Sequence, residues 1–158
     1  MKIRLVNHTD IPKWWALSRE YDCYVKEIVS DLTEWYDGND TSPAFDAYIQ
    51  SKIEKDEAFI AVDALDNCLG IIAVSLKNNR ITFFGISHKS DFQAVGNALL
   101  EYALDKLDVS KPIHINEIVS TAPHIQNNVK IVKSYGFTYL CDSTENGVPV
   151  NTYVKSPT

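Results

Sequence analysis

Two spacings of apolar residues divide the chain. The opening KIRLVN (2–7) reads as a short strand, and Asp10 reads as an N-cap with Pro12 in the first turn of a helix over 11–21. A second helix is predicted over 24–38, stopping at Gly38, and a third over 42–57, opening on Ser42 and Pro43. The period then shortens to that of strands: 58–64, 70–77 and 80–87, with Asn78–Asn79 suited to a two-residue hairpin because asparagine tolerates positive φ. A helix from 91 to about 107 follows, then a strand at 112–120. The next helix, 122–136, has Pro123 near its start and Gly136 as its C′ residue. Two last strands, 137–143 and 148–155, turn through Glu145-Asn146-Gly147. The order β-αα(α)-βββ-α-β-α-ββ is that of a mixed α+β sandwich. With no repeat, low-complexity stretch or internal boundary, residues 1–158 are read as one domain.

Charge and cysteine content narrow the partners. A net charge of −6 makes a poor general ligand for nucleic acid or an anionic membrane surface, because phosphate neutralisation dominates such affinities. It does not exclude one anionic ligand held by backbone N–H groups. No apolar run is long enough to span a bilayer, and MKIRLVNHTD has no signal-peptide core. Cys23, Cys68 and Cys141 are odd in number and widely spaced. They suggest neither a disulfide framework nor a metal site, and a cytoplasmic location is the expectation.

One residue breaks the local logic. DFQAVGNALL (91–100) opens an amphipathic helix, yet Gly96 sits inside it and costs roughly 1 kcal/mol relative to alanine. Two explanations are open. A strand passing through HKSD into a helix directs free N–H groups outward, and a glycine there lets a phosphate approach the backbone. Alternatively Gly96 is a helix–strand packing contact, with Ser90-Asp91-Phe92-Gln93 forming an S-x-x-Q capping box.

The spacing Gln93-x-x-Gly96-x-Ala98, set after the strand 80–87 and before a long helix, resembles the (Arg/Gln)-x-x-Gly-x-(Gly/Ala) loop of the GNAT superfamily of acyl-CoA-dependent N-acyltransferases. The order of elements and Gly136-Phe137 extend the likeness over nearly the whole chain. The resemblance implies a mixed central sheet of about seven strands with helices on both faces. It implies acetyl-CoA as acyl donor, with the pantetheine arm on the backbone around Gly85, Ile86 and His88. The diphosphate would lie on the N–H groups of Gln93, Ala94, Val95, Gly96, Asn97 and Ala98, with Asn128 as a polar contact along the arm. It further implies a small-molecule or peptide amine as acceptor, approaching near the first helices. Tyr21 and Tyr24, flanking the expected helix break, are the acceptor-side candidates. Monomer and homodimer are both open.

The chain departs from the family pattern where the chemistry lies. Counting back from Gly136, the position of the usual acid tyrosine holds Val132. The strand RITFFGIS lacks the glutamate that many members use as base. The replacements are Glu117, which shares a strand face with Ile113, Ile115 and Val119, and Tyr135. Among apolar neighbours the Glu117 pKa would rise, which suits a base; at a strand end it is merely solvated. Tyr135 either serves as acid or packs at the helix end. His124 and His88 are further candidates. The implied activity is direct acetyl transfer to a primary amine; the alternative is a CoA-binding module that transfers weakly or not at all.

Overall fold

The computed structural model describes residues 1–28 and 42–158. The elements run β1 (Lys2–Leu5), a 3₁₀ turn (His8–Asp10), α1 (Ile11–Ile28), α2 (Pro43–Glu54), β2 (Ala58–Val62), β3 (Cys68–Ser75), β4 (Arg80–Ile86), α3 (Phe92–Lys106), β5 (Ile113–Ile118), α4 (Pro123–Ser134), β6 (Phe137–Glu145) and β7 (Val148–Lys155). The seven strands form one sheet in the order β1-β2-β3-β4-β5-β7-β6. All neighbours are antiparallel except β4 and β5. Two apolar layers cover it. On one face Trp14, Leu17, Phe45 and Ile49 of α1 and α2 pack on Ile60, Ile71 and Ala73. On the other, Val95, Leu99, Val129 and Val132 of α3 and α4 pack on Ile72, Ile81, Ile86 and Ile115.

Several local expectations are corrected. Asp10 does not cap α1. Asn7 caps the 3₁₀ turn, and Asp10 closes a capping box by accepting from the Asn7 N–H at 2.9 Å. Fully buried, the Asp10 carboxylate also takes a two-pronged contact from Arg4, at 2.6 and 2.8 Å, which holds its pKa below the usual range against the opposing effect of burial. No helix break separates residues 21 and 24: α1 is continuous to Ile28. The rest of the expected 24–38 helix, with Glu34, Trp35 and Tyr36, lies outside the described residues. The β3–β4 connection is a four-residue turn and not a two-residue hairpin. Only Asn79 takes positive φ (50°), and its amide bonds to the Asp108 and Pro112 carbonyls. Gly136 does sit at the C-terminal turn of α4 with φ 92°.

The feature that positions the site is the meeting of β4 and β5. They pair only at Arg80↔His114 and Ile81↔Ile115. Just past that point Ala73 of β3 pairs with Phe83 and Val74 with Ile81, so Thr82 is an extra residue in β4. Such a bulge bends the strand and increases its twist. Beyond it, no strand among the described residues pairs with residues 82–86 of β4 on their β5 side.

Candidate active site

The free edge of β4 is met by side chains from both layers. The Ile86 N–H donates to the Tyr21 hydroxyl at 2.8 Å, and the Asn128 amide donates to the Phe84 carbonyl at 3.3 Å. His124 Nε2 lies 2.9 Å from both the Tyr21 hydroxyl and the Ile86 carbonyl. Burial raises the Tyr21 pKa, and burial together with the neighbouring His88 lowers that of His124 to about 4. Both are therefore neutral near pH 7. Tyr24 stands one helical turn from Tyr21, its hydroxyl 2.9 Å from His88 Nε2. His88 in turn pairs with Glu20 at 3.1 Å. The structure thus gathers Tyr21, Tyr24, Ile86, His88, His124 and Asn128 at one end of the strand gap.

Through the gap, from the α1/α2 layer to α4, runs a cavity of about 380 Å³. Its walls include Tyr21, Phe45, Tyr48, Phe83, Ile118 and Ile125, with Arg80, Thr82, Asn116, Glu117, Asn128 and Glu145 as its polar groups. The aromatic wall is fixed by edge contacts: Trp14 backs Phe83 and Tyr48, and the Tyr48 hydroxyl lies 2.7 Å from the Thr82 hydroxyl. Glu117 does share a face with Ile113 and Ile115 and is buried (6% exposed). Among the described residues its Oε1 has no hydrogen-bond partner, and neither has Oδ1 of Asn128, 1% exposed. Burial first, and the nearby Glu145 second, push the Glu117 pKa up to about 8. Two buried acceptors lining one cavity without partners cost free energy unless a ligand supplies donors.

Tyr135 is placed elsewhere. It forms the C-cap of α4, and its hydroxyl donates to Glu101 of α3 at 2.7 Å, so it does not line the cavity with Glu117. Its pKa is pushed up to about 12 by burial and by that bond.

The start of α3 also differs from expectation. The cap is Asp91, not Ser90: its carboxylate accepts from the Ala94 N–H at 3.1 Å, while Ser90 donates to the carbonyls of Leu69 and Ser87. From Val95, whose N–H bonds to the Asp91 carbonyl, the N–H groups of Gly96, Asn97 and Ala98 belong to the helix's own ladder. Those turned outward are at Phe92 and Gln93. Beside them a small cleft of about 180 Å³ is lined by Phe92, Gln93, Asn127, Lys130 and Ile131. Gly96 is buried, and a Cβ there would come within 2.6 Å of Ile131 and 2.9 Å of Ile86. Packing of α3 against α4 and β4 accounts for this glycine. Likewise Gly85 lies under the Phe83 ring, 2.9 Å from where its Cβ would stand.

Sequence reasoning missed Arg80, Tyr48, Thr82 and Asn116. One signal was available: the adjacent Phe83-Phe84 breaks the alternation expected of a half-buried strand, which is how a bulge registers in sequence. Nothing local marked Tyr48, which reaches the site from a separate helix.

By sequence alone the chain matches no protein-family model and no curated protein. Solved structures match it over almost its full length. A GNAT-family acetyltransferase of Bacillus cereus superposes with a TM-score of 0.67 at 14% identity, covering 99% of this chain and 97% of that one. YncA of Salmonella typhimurium, solved with acetyl-CoA, gives 0.71 at 9% identity, covering 98% and 92%. A spermidine N-acetyltransferase of Vibrio cholerae gives 0.61 at 13%, covering 99% and 95%. The chain has the fold of the GNAT acetyltransferases.

Proposed function

We propose that this protein is an acetyl-CoA-dependent N-acetyltransferase acting on a primary amine, with Glu117 as the group that takes the amine's proton. The observation that carries this reading is the parting of β4 from β5 over a cavity whose wall holds a buried carboxyl, with Oε1 unpartnered among the described residues. Acetyl-CoA supplies the acetyl thioester. The chain's residues fit such a ligand in three places: the backbone of Phe84 and Ile86 on the open edge of β4, Asn128 beside it, and Gln93 with Lys130 at the start of α3. Glu117 orients the amine and accepts its proton as the N–C bond forms and the C–S bond breaks, and that same proton then passes to the departing thiolate, so amine and thioester become amide and thiol. A carboxyl of pKa about 8 is poised for that transfer in mildly alkaline solution. The aromatic wall excludes water from the attacking nitrogen.

A second reading, a CoA-binding module with weak transfer, is favoured by two observations. The Tyr21 hydroxyl already occupies the Ile86 N–H, and the Asp91 carboxylate already occupies the Ala94 N–H and sets a negative charge at the helix start. Both features oppose a bound pyrophosphate thioester.

One experiment separates the readings. At about 100 times its dissociation constant, acetyl-CoA adds roughly 2.7 kcal/mol, a rise in Tm of about 5–10 °C for a chain of this size. Thiol release with a panel of amines is followed alongside. A thermal shift with release supports the enzyme, a shift without release supports the module, and no shift overturns both.

A further inference from the structure

We infer that the amine this cavity takes carries an anionic group, a carboxylate or phosphate, at the far end of an apolar body. The inference rests on the cavity being the acceptor site. It follows from how charge is distributed along β5. Glu117 lies at one end of the cavity with Asn128, and each keeps a buried acceptor atom without a partner. Glu145 sits beside the same end, accepting from the Asn116 amide at 3.3 Å. A primary ammonium brings three donors and a positive charge, which match the two acceptors and, once Glu117 is ionised, its carboxylate beside that of Glu145. A carboxylate on the carbon next to that nitrogen would face Glu117 and Glu145, so an α-amino acid fits poorly.

The other end has the opposite sign. Arg80 lines the cavity from the first residue of β4 and pairs across to His114, three residues before Glu117. At about 3.3 Å per residue that is about 10 Å along the strand. A second ammonium would meet Arg80, which disfavours a diamine. A carboxylate or phosphate meets a guanidinium suited to either. Between the two ends the walls are Phe45, Tyr48, Phe83, Ile118 and Ile125, which ask for an apolar spacer. A volume of about 380 Å³ admits a small molecule and not a folded peptide.

Four six-carbon amines test this on the full chain by titration calorimetry: 6-aminohexanoate, hexylamine, hexane-1,6-diamine and norleucine. The expected order places 6-aminohexanoate about tenfold tighter than the other three. Arg80→Met, which keeps the stem and removes the charge, is expected to collapse that preference over hexylamine to near unity. Arg80→Lys is expected to restore part of it. Thermal unfolding checks that each variant folds. Equal affinity for all four, no binding of any, a lead for the diamine or norleucine, or a preference that survives Arg80→Met overturns the inference. The acetyl-CoA thermal shift is read on the same samples. If it fails while the calorimetric order holds, the transferase reading falls and the charge reading of the cavity stands; the reverse result removes only the latter.

Discussion

Burial of a carboxyl group ties stability and reactivity at Glu117 to one proton. Its pKa of about 8 lies above the ordinary 4.5, so the folded chain binds the proton more tightly than the unfolded one. The contribution is complete below the unfolded pKa and is lost as pH rises through 8. Replacing Glu117 by Gln removes this dependence and is expected to stabilise the protein at pH 7 by about 3 kcal/mol. The same variant is expected to lower turnover by about 10²–10⁴-fold. Denaturant titration and thiol release report the two effects, and a variant that is neither more stable nor slower argues against the assignment. His124 has the opposite sign. Its pKa of about 4, below the ordinary 6.5, makes stability rise with pH between those values. The two groups oppose each other up to pH 6.5, and only Glu117 acts above it. Between pH 6.5 and 8 the parent is expected to lose about 2 kcal/mol and Glu117→Gln to stay level. Gly96 illustrates another residue-scale rule. Gly96→Ala should gain about 1 kcal/mol of helix propensity and lose about 1–3 kcal/mol to overpacking against Ile131 and Ile86. A net fall in Tm is the expected outcome; a rise would show that α3 and α4 have room to give.

At the scale of elements, the bulge at Thr82 and the short β4–β5 pairing make the site. A regular β4 paired along its length with β5 would have closed both the gap and the cavity. The open edge is instead held by α1 through Tyr21 and by α4 through Asn128 and His124. Tyr21→Phe therefore leaves the Ile86 N–H without its acceptor and is expected to cost about 1–3 kcal/mol in the ligand-free protein. If the same N–H serves the pantetheine arm, acetyl-CoA is expected to bind this variant more tightly than the parent, because the hydroxyl no longer competes. Calorimetry on the folded variant measures this, and weaker binding would mean that Tyr21 assists the ligand. Three helix starts obey a local rule: Asn7, Ser42 and Asp91 each supply a side-chain acceptor to a first-turn N–H, whereas α4 follows Ala122 without one and carries Pro123 in its first turn.

Across the whole molecule, two apolar layers cover the faces of one seven-stranded sheet, and the parted strands open a mouth in it. The pair of partly exposed Arg4 with buried Asp10 ties β1 to the turn that leads into α1. Asp10→Ala breaks the capping box and leaves the Arg4 guanidinium with Asp66 as its one carboxylate, and is expected to cost about 1–3 kcal/mol. Asp10→Asn removes the charge but keeps an acceptor for Asn7, so a smaller fall in Tm is expected. Among the described residues no helix is long and apolar enough to cross a membrane.

Most elements could be read from the chain because their signals are local. Apolar period, Pro123, Gly136, the Asn146–Gly147 turn and the Ser42 cap act within a few positions, so most of the element order and the α+β class followed from sequence. The Glu117 face could be read for the same reason, since strand alternation assigns it to the side of Ile113 and Ile115. Tertiary structure decided what depends on distant segments meeting. It buried Gly96 against Ile131 of another helix, sent Tyr135 to Glu101 and brought Tyr48 to Thr82. It also set Tyr21 on the Ile86 N–H and aligned Arg80 and Glu117 along one cavity. These are contacts between residues 34 to 65 positions apart or on neighbouring strands. Spacing along a chain fixes which face a side chain takes, but packing of whole layers fixes what that face meets.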